Sequence, residues 1–326
     1  MDYSDILEPF DRMLEQVCEP AAVRAIEAGG SPDEMWNAIA QSGFLDALVP
    51  EEAGGFGLPA AAVQPLWQAL GRHAIPLPVG ETMIARMLLA EAGIAAPDGP
   101  IALASAPPGI EIVVSLGRVA HHALVEQPGG VALVGLDAAE GREEEEGAAA
   151  GLAGRFAWGR LEPALAAPAG GLRALAALLR ASLIAGACER LVAMTAAYAN
   201  ERVQFGKPIG RQQALQQQMA VMAEEAVAAR IAAALGCAGG LPPSFAAAAT
   251  AKSVASRAAV RVAATAHAVH GAIGISAEHD LQLYTRRLHE WRLADGSESY
   301  WNRVLGAIRL GDTAGSVDFV RTALAA

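Results

Sequence analysis

A mainly α-helical chain with one small β region between two helical blocks is the fold class the sequence predicts, and three observations carry it. Of the 326 residues 53% are hydrophobic but only 5% aromatic. The second half draws its apolar content from alanine and leucine, which favour helix over strand. Between about residues 98 and 162 the texture changes to short apolar runs (IALASA, EIVVSLG, HHALVEQ, GVALVGLD) separated by Gly, Pro and Asp, which read as strands of a small sheet. A three-part organisation follows: an N-terminal helical domain over 1–97, a β domain over 98–168 and a C-terminal helical bundle over 169–326.

Each element has its own signal. In PDEMWNAIAQSGFLDALVP, apolar residues recur at Met35, Ile39, Leu45 and Leu48, with Pro32 at the helix start and Gly43 placed to end it. EEAGGFGLP is a turn-rich loop, and AAAVQPLWQALGRHAIPLP is a helix closed by prolines. The acidic run Glu143 to Glu146 reads as an exposed loop of mutually repelling charges. LRALAALLRASLIAGACERLVAMTAAYAN predicts one long, largely buried helix over 172–200. A second long helix follows Pro208, a third covers about 244–269, and two shorter ones flank Asp295, completing a helical bundle.

The formal net charge of −11 argues against general attraction to nucleic acid or to an anionic membrane. Cys18, Cys188 and Cys237 show neither disulfide nor metal-ligand spacing, so a reducing, cytoplasmic compartment is expected. The first residues are acidic and lack a signal-peptide pattern, and no apolar run has the flanks of a membrane span. A soluble protein without a metal site is expected.

Two segments carry chemistry. In YANERVQFGKPIGRQQALQQQ a helix ends at Arg202, turns through Phe205, Gly206 and Pro208, and restarts with a glutamine-rich face. By composition this is a helical hairpin with a polar surface, although Arg202 beside the turn could meet a phosphate bidentately. In AHAVHGAIGISAEHDLQLYTRRLHEWRLADGSES, glycines 271 and 274 interrupt an alanine-rich helix and expose backbone N–H groups that could face an anion. His267 and His270 share a helix face, but no nearby cysteine or carboxylate completes a metal set. Arg286 and Arg287 read as solvated or salt-bridged.

Together, Y-x-x-x-R-x-Q-F-G-x-x-I-x-x-x-Q and, some 60 residues on, H-G-x-x-G-x-x-x-E-x-x-L-x-x-x-x-R-R resemble the acyl-CoA dehydrogenase family. W-x-x-I-A-x-x-G-F from Trp36 to Phe44, VPEEAGGFG at 49–57 and ALGRHAIPLP look like its N-terminal helical domain. The resemblance implies an N-terminal helical domain, a middle β domain and a C-terminal four-helix bundle, assembled as a homodimer, homotetramer or α2β2 heterotetramer that holds FAD at subunit contacts. It places Arg202, Gln204, Phe205 and Gln213 on FAD-contact positions. His270, Gly271, Ala272 and Gly274 match the segment that approaches FAD from another chain, and Ser297 lies on a further cofactor position.

The reaction the resemblance implies is α,β-dehydrogenation of an acyl-CoA thioester: a carboxylate base takes the α proton, the β hydride passes to flavin, and an electron-transfer flavoprotein accepts the electrons. The family's base is commonly a Glu before Gly-Thr or Gly-Ser, and the matching residue here is Asp295 in ADGSES. Asp is one methylene shorter. It could serve a reshaped site, as in nitroalkane oxidases, which suggests a flavin oxidase or monooxygenase as a rival. It could instead cap the helix that starts near Ser297 in a non-catalytic subunit. The alternative base position at the start of the first bundle helix is Ala176, which cannot serve. The middle domain lacks the family's T-E-P-x-x-G-S-D-like segment and is short, as in the heteromeric enzymes of bacterial steroid degradation. The alanines of the bundle would suit a pocket for a bulky acyl group, or simply close helix packing.

Overall fold

A computed structural model describes residues 4–105, 111–139, 141–144, 152–204 and 206–324. Five helices, α1 (Ser4–Val17), α2 (Pro20–Glu27), α3 (Asp33–Gln41), α4 (Ala60–Arg72) and α5 (Val79–Glu91), precede the strands. Pro32 is the N-cap of α3 and Gly43, at φ 80°, turns the chain after it. Met35, Ile39, Leu45 and Leu48 all enter the core.

The middle region is two three-stranded sheets. Strands β1 (Ile101–Ser105), β3 (His122–Gln127) and β4 (Gly130–Gly135) form one, with β1 parallel to β3 and β4 antiparallel to it. Strands β2 (Ile112–Val114), β6 (Gly154–Ala157) and β5 (Gly141–Glu144) form the other, all antiparallel. Strand alternation divides the first sheet between two cores. Ala102, Ala104, Ala123 and Val125 pack with Ile112, Val114 and Phe156 of the second sheet. Ile101, Leu103 and Leu124 point to the helices. The acidic run is not a loop throughout: Glu143 and Glu144 lie in β5, in register with Arg155 and Gly154, while Glu145 and Glu146 lie outside the described residues. Backbone pairing with β6 overrides a side-chain pattern that gives no strand signal.

The remainder is helical apart from a short two-strand ribbon after the first helix: α6 (Gly171–Glu201), α7 (Gln213–Ala238), α8 (Phe245–His270), α9 (Leu281–Leu293), α10 (Glu298–Gly311) and α11 (Ser316–Leu324). Helices α6, α7 and α8 pack on one another, α9 closes the bundle against α6 and α8, and α10 lies along α8. α6 is apolar enough to cross a membrane by composition, but 89% of its most apolar window is buried inside the molecule. Its N-terminus is tied to the sheet, because Leu172 N donates to a Glu126 carboxylate oxygen at 2.8 Å. The alanines of α8, among them Ala248, Ala251, Ala255, Ala259 and Ala266, are buried, which serves close helix packing. α4 crosses α6 at two glycines: a Cβ on Gly186 would lie 1.8 Å from the Gln68 carbonyl oxygen, and one on Gly71 2.0 Å from that of Leu183.

Candidate functional site

The residues singled out from the sequence fall into two groups at opposite ends of the bundle. His270 ends α8 and Lys252, which touches the Asp295 loop, lies near its start. Eighteen residues of helix at 1.5 Å each separate the two groups by about 27 Å. Tyr198 and Arg180, their counterparts on α6, are spaced identically.

At the first end, α6 stops at Arg202, whose N–H closes on the Tyr198 carbonyl at 2.9 Å. A two-strand ribbon, β7 (Val203–Gln204) with β8 (Lys207–Pro208), makes the turn and leads into α7. Ala199, Ile209 and Val269 form a small core that holds the turn against α8. Arg202, Gln204 and Gln213 are exposed, and among the described residues no carboxylate pairs with Arg202; Phe205 lies outside the described residues. Gly271, at φ 62°, opens a tight turn over Gly271–Ile275. A Cβ at Gly271 would meet nothing, so its outer side is open. Ala272 is exposed as well, whereas Gly274 is packed inward, where a Cβ would lie 2.8 Å from Leu281.

His270 is 3% exposed and stacks on the Tyr198 ring at 4.4 Å, with His279 edge-on at 4.9 Å. Its Nδ1 bonds the Ala266 carbonyl at 2.8 Å, so the proton sits there and Nε2, buried without a partner, presents a lone pair. Burial pushes its pKa down, against the Ala266 bond, and His279 and His267 add to the depression. His267 bonds Thr285 through Nε2 at 3.0 Å.

At the second end the sequence identified Asp295 but missed most of its neighbours. Arg180, 3% exposed in the middle of α6, donates from Nη1 to Glu81 of α5 at 2.6 Å and from Nε to Asp295 at 3.2 Å. Burial alone would lower the Arg180 pKa, but Glu81 and Asp295 hold its proton more firmly than usual. Glu290, behind it on α9, is held above the usual carboxylate range by burial, against Arg287 and Arg180. Arg287, 1% exposed, joins Glu290 and Glu27 of α2; Arg286 reaches Glu27 from the surface. The Asp295 carboxylate faces Arg180 and makes no helix cap. Ser297 is the N-cap of α10, and no side-chain cap bond forms there.

The loop between α9 and α10 is tightly built. Asp295 and Gly296 have φ of 57° and 103° in succession, a conformation that disfavours side chains. A Cβ on Gly296 would lie 2.6 Å from Tyr300 and 2.7 Å from the Trp301 indole nitrogen. Trp301 Nε1 donates to the Asp295 carbonyl at 3.0 Å. The three thiols offer no nucleophile: all are buried, and burial pushes Cys18 and Cys237 up to about 12 and Cys188 higher still.

A family model for the acyl-CoA dehydrogenase N-terminal domain matches residues 2–96, and one for the acyl-CoA dehydrogenase C-terminal domain matches 174–307. A curated relative, the acyl-CoA dehydrogenase IpdE2 of Mycobacterium tuberculosis, is 34% identical over 289 residues, 83% of this chain and 85% of the relative. The chain belongs to the acyl-CoA dehydrogenase family. Members are oxidoreductases acting on CH–CH groups. Among solved structures, the Tcur3481–Tcur3483 steroid ACAD, as a G363A variant, superposes with a TM-score of 0.82 at 26% identity, covering 96% of this chain and 99% of that one. The ChsE4–ChsE5 complex from Mycobacterium tuberculosis superposes at 0.81 with 24% identity, covering 97% and 100%, and shows the same fold. Within this family member the β domain lies between the two family matches; the first residue group falls inside the C-terminal match, and the second joins it to Glu81 and Glu27 of the N-terminal one.

Proposed function

We propose that the chain is one of two unlike subunits of a FAD-dependent, cytoplasmic acyl-CoA dehydrogenase of α2β2 type, acting on a bulky, steroid-derived acyl-CoA, in which the partner supplies the α-proton base. The observation that carries this reading is the Asp295 carboxylate: the one acidic side chain at the family's base position faces the buried Arg180 guanidinium, which Glu81 holds on its other side. A base must reach the substrate's α proton, and misplacement by about 1 Å costs on the order of a hundredfold in rate. The relatives support the steroid and two-subunit parts: ChsE4–ChsE5 is a complex and the Tcur3481–Tcur3483 protein is a steroid ACAD.

The residues at the first end suit a dinucleotide. Arg202 is exposed and free to meet a diphosphate, Gln204 and Gln213 offer amide donors and acceptors beside it, and the open outer side of Gly271 and Ala272 lets a flat group approach the backbone. His270 Nε2 adds an acceptor already stripped of water. These residues would hold FAD across a subunit boundary. Bound there, FAD supplies the hydride acceptor, and an electron-transfer flavoprotein is the expected electron sink. This chain's part is to bind, orient and exclude water.

A second reading, Asp295 as a working base, draws on its 20% side-chain exposure and on the single oxygen engaged by Arg180. The visible spectrum of the purified chain, alone and co-expressed with candidate partner subunits, before and after anaerobic addition of a panel of acyl-CoAs, separates the two. The proposed function expects flavin and its bleaching only with the partner present, and bleaching that survives Asp295→Asn in this chain. Bleaching by the chain alone that Asp295→Asn abolishes would overturn it in favour of the second reading.

A further inference from the structure

Lys252 is a charged side chain with no accessible surface, in the middle of an alanine-rich helix face. Its Nζ has three hydrogen-bond partners: the Arg292 carbonyl at 2.9 Å, the Gly296 carbonyl at 2.8 Å and Ser256 Oγ at 3.2 Å. An ammonium has three N–H donors, so the set is complete. The two carbonyls bracket Asp295. Arg292 lies in the last turn of α9, whose carbonyls have no helical partner and carry the negative end of the helix dipole.

We infer that Lys252 is the positioning residue of the α9–α10 loop: its ammonium ties Arg292 to Gly296 and thereby holds Asp295, in its left-handed conformation, against Arg180. The remaining contacts depend on that tie. Trp301 can reach the Asp295 carbonyl, and Arg292 can pair with Glu298 across the loop, only while the four residues between α9 and α10 keep this shape. That this hold keeps Asp295 out of the base role rests on the proposed function; the tie itself does not.

The tie is strengthened by a proton. A neutral amine keeps two N–H donors for the two carbonyls and can accept from Ser256 Oγ–H through its lone pair, but the bonds to the carbonyls then lose the charge that makes them strong. Burial pushes Lys252 down to about 7, with Asp295 opposing and Arg180 adding to the shift. The charges that face it are Asp295 in the loop, Arg180 on α6, Glu298 on α10 and Arg292 on α9, with Glu81 and Glu290 behind Arg180; α7 packs beside it through Gly236. The tie is therefore stronger below neutral pH than above it.

Trp301 reports on the loop, because its indole N–H ends on the Asp295 carbonyl. In the full chain, in whatever assembly it purifies, 5-fluorotryptophan is incorporated, the Trp301 resonance is assigned by Trp301→Phe, and its 19F shift is followed from pH 5.5 to 9. The inference expects a titration with a midpoint near 7 that disappears in Lys252→Met. Should Lys252→Met not fold, Ser256→Ala removes one ammonium partner and should move the midpoint down. A flat wild-type curve, a titration that persists in Lys252→Met, or an unmoved midpoint in Ser256→Ala overturns it. The readout needs neither flavin nor substrate, so loss of dehydrogenase activity counts against the proposed function alone, and a flat 19F curve against this inference alone.

Discussion

Replacing Arg180 by methionine tests whether the charged cluster under Asp295 is a buried structural unit. The guanidinium side chain is 4% exposed, Glu81 3% and Asp295 20%. The substitution keeps a long side chain but strands Glu81 with no route to water. Removing one partner of a buried ion pair costs about 3–5 kcal/mol, because the other charge stays buried and uncompensated. Asp295 adds little to that figure, since it can hydrate from its exposed side. With a midpoint shift of about 2–3 °C per kcal/mol for a chain of this size, the apparent Tm should fall by roughly 6–15 °C. Urea unfolding followed by far-UV circular dichroism, with the slope checked for constancy, measures the change. A second variant gives the result its meaning: Arg180→Met with Glu81→Leu removes both charges and should recover more than half of the loss, since well-packed apolar replacements of buried pairs are often neutral or better. A single-variant cost below about 1 kcal/mol, or no recovery in the double variant, would refute the reasoning and mean that water reaches the pair.

Three further outcomes are expected. Gly186→Ala should cost at least about 3 kcal/mol, because the new methyl meets the Gln68 carbonyl oxygen at 1.8 Å and α4 must move off α6, whereas Gly306→Ala, with open space around it, should be neutral or slightly stabilising; paired melts decide. Arg202→Ala should leave the Tm of the flavin-free chain unchanged but lower the flavin content of the purified assembly by tenfold or more, read from the flavin-to-protein absorbance ratio. Finally, His73, His122, His270 and His289 all have pKa values lowered first by burial. The unfolded chain then binds more protons than the folded one at mildly acid pH, so stability is fully present above the unfolded value of about 6.5 and is lost as pH falls through the lower folded values. Tm measured from pH 7.5 down to 5 should decline, and His270→Gln should make the decline shallower.

What the sequence made legible was punctuated by proline and glycine. Pro32 and Gly43 bracket α3, two helices flank Asp295 as expected, and the second of them starts beside Ser297. Strand β5 was not legible, since GREE has neither alternation nor apolar content and forms a strand because β6 offers it a ladder. The charged cluster was half visible. Glu81 in PVGETMIA, Arg180 in ALLRASLIAG and Lys252 in AATAKSVAS are single charges inside apolar stretches, and a lone charge in such a run must find a buried partner. That signal could have named all three. It could not have paired them, because Arg180 meets Asp295 across 115 residues of chain, and tertiary packing alone brings the two together.

The separation of the two residue groups bears on how such a chain takes part in chemistry. Arg202 and the 271–274 turn sit about 27 Å along the bundle from the Asp295 loop, with α6 and α8 running the whole distance as rigid, alanine-packed rods. No rearrangement short of breaking those helices brings the groups together, so in the proposed enzyme the two ends belong to different centres. One end presents unpaired, exposed polar groups suited to a ligand that arrives with another subunit. At the other end the charges are paired within the chain and the loop is tied by Lys252 and Trp301, which leaves its carboxylate oriented inward. Such a subunit, in the proposed enzyme, gains its activity through assembly. In the proposed enzyme, changes at Arg202 should therefore affect flavin retention, whereas changes at Lys252 should act on the shape of the loop and leave flavin retention as it was.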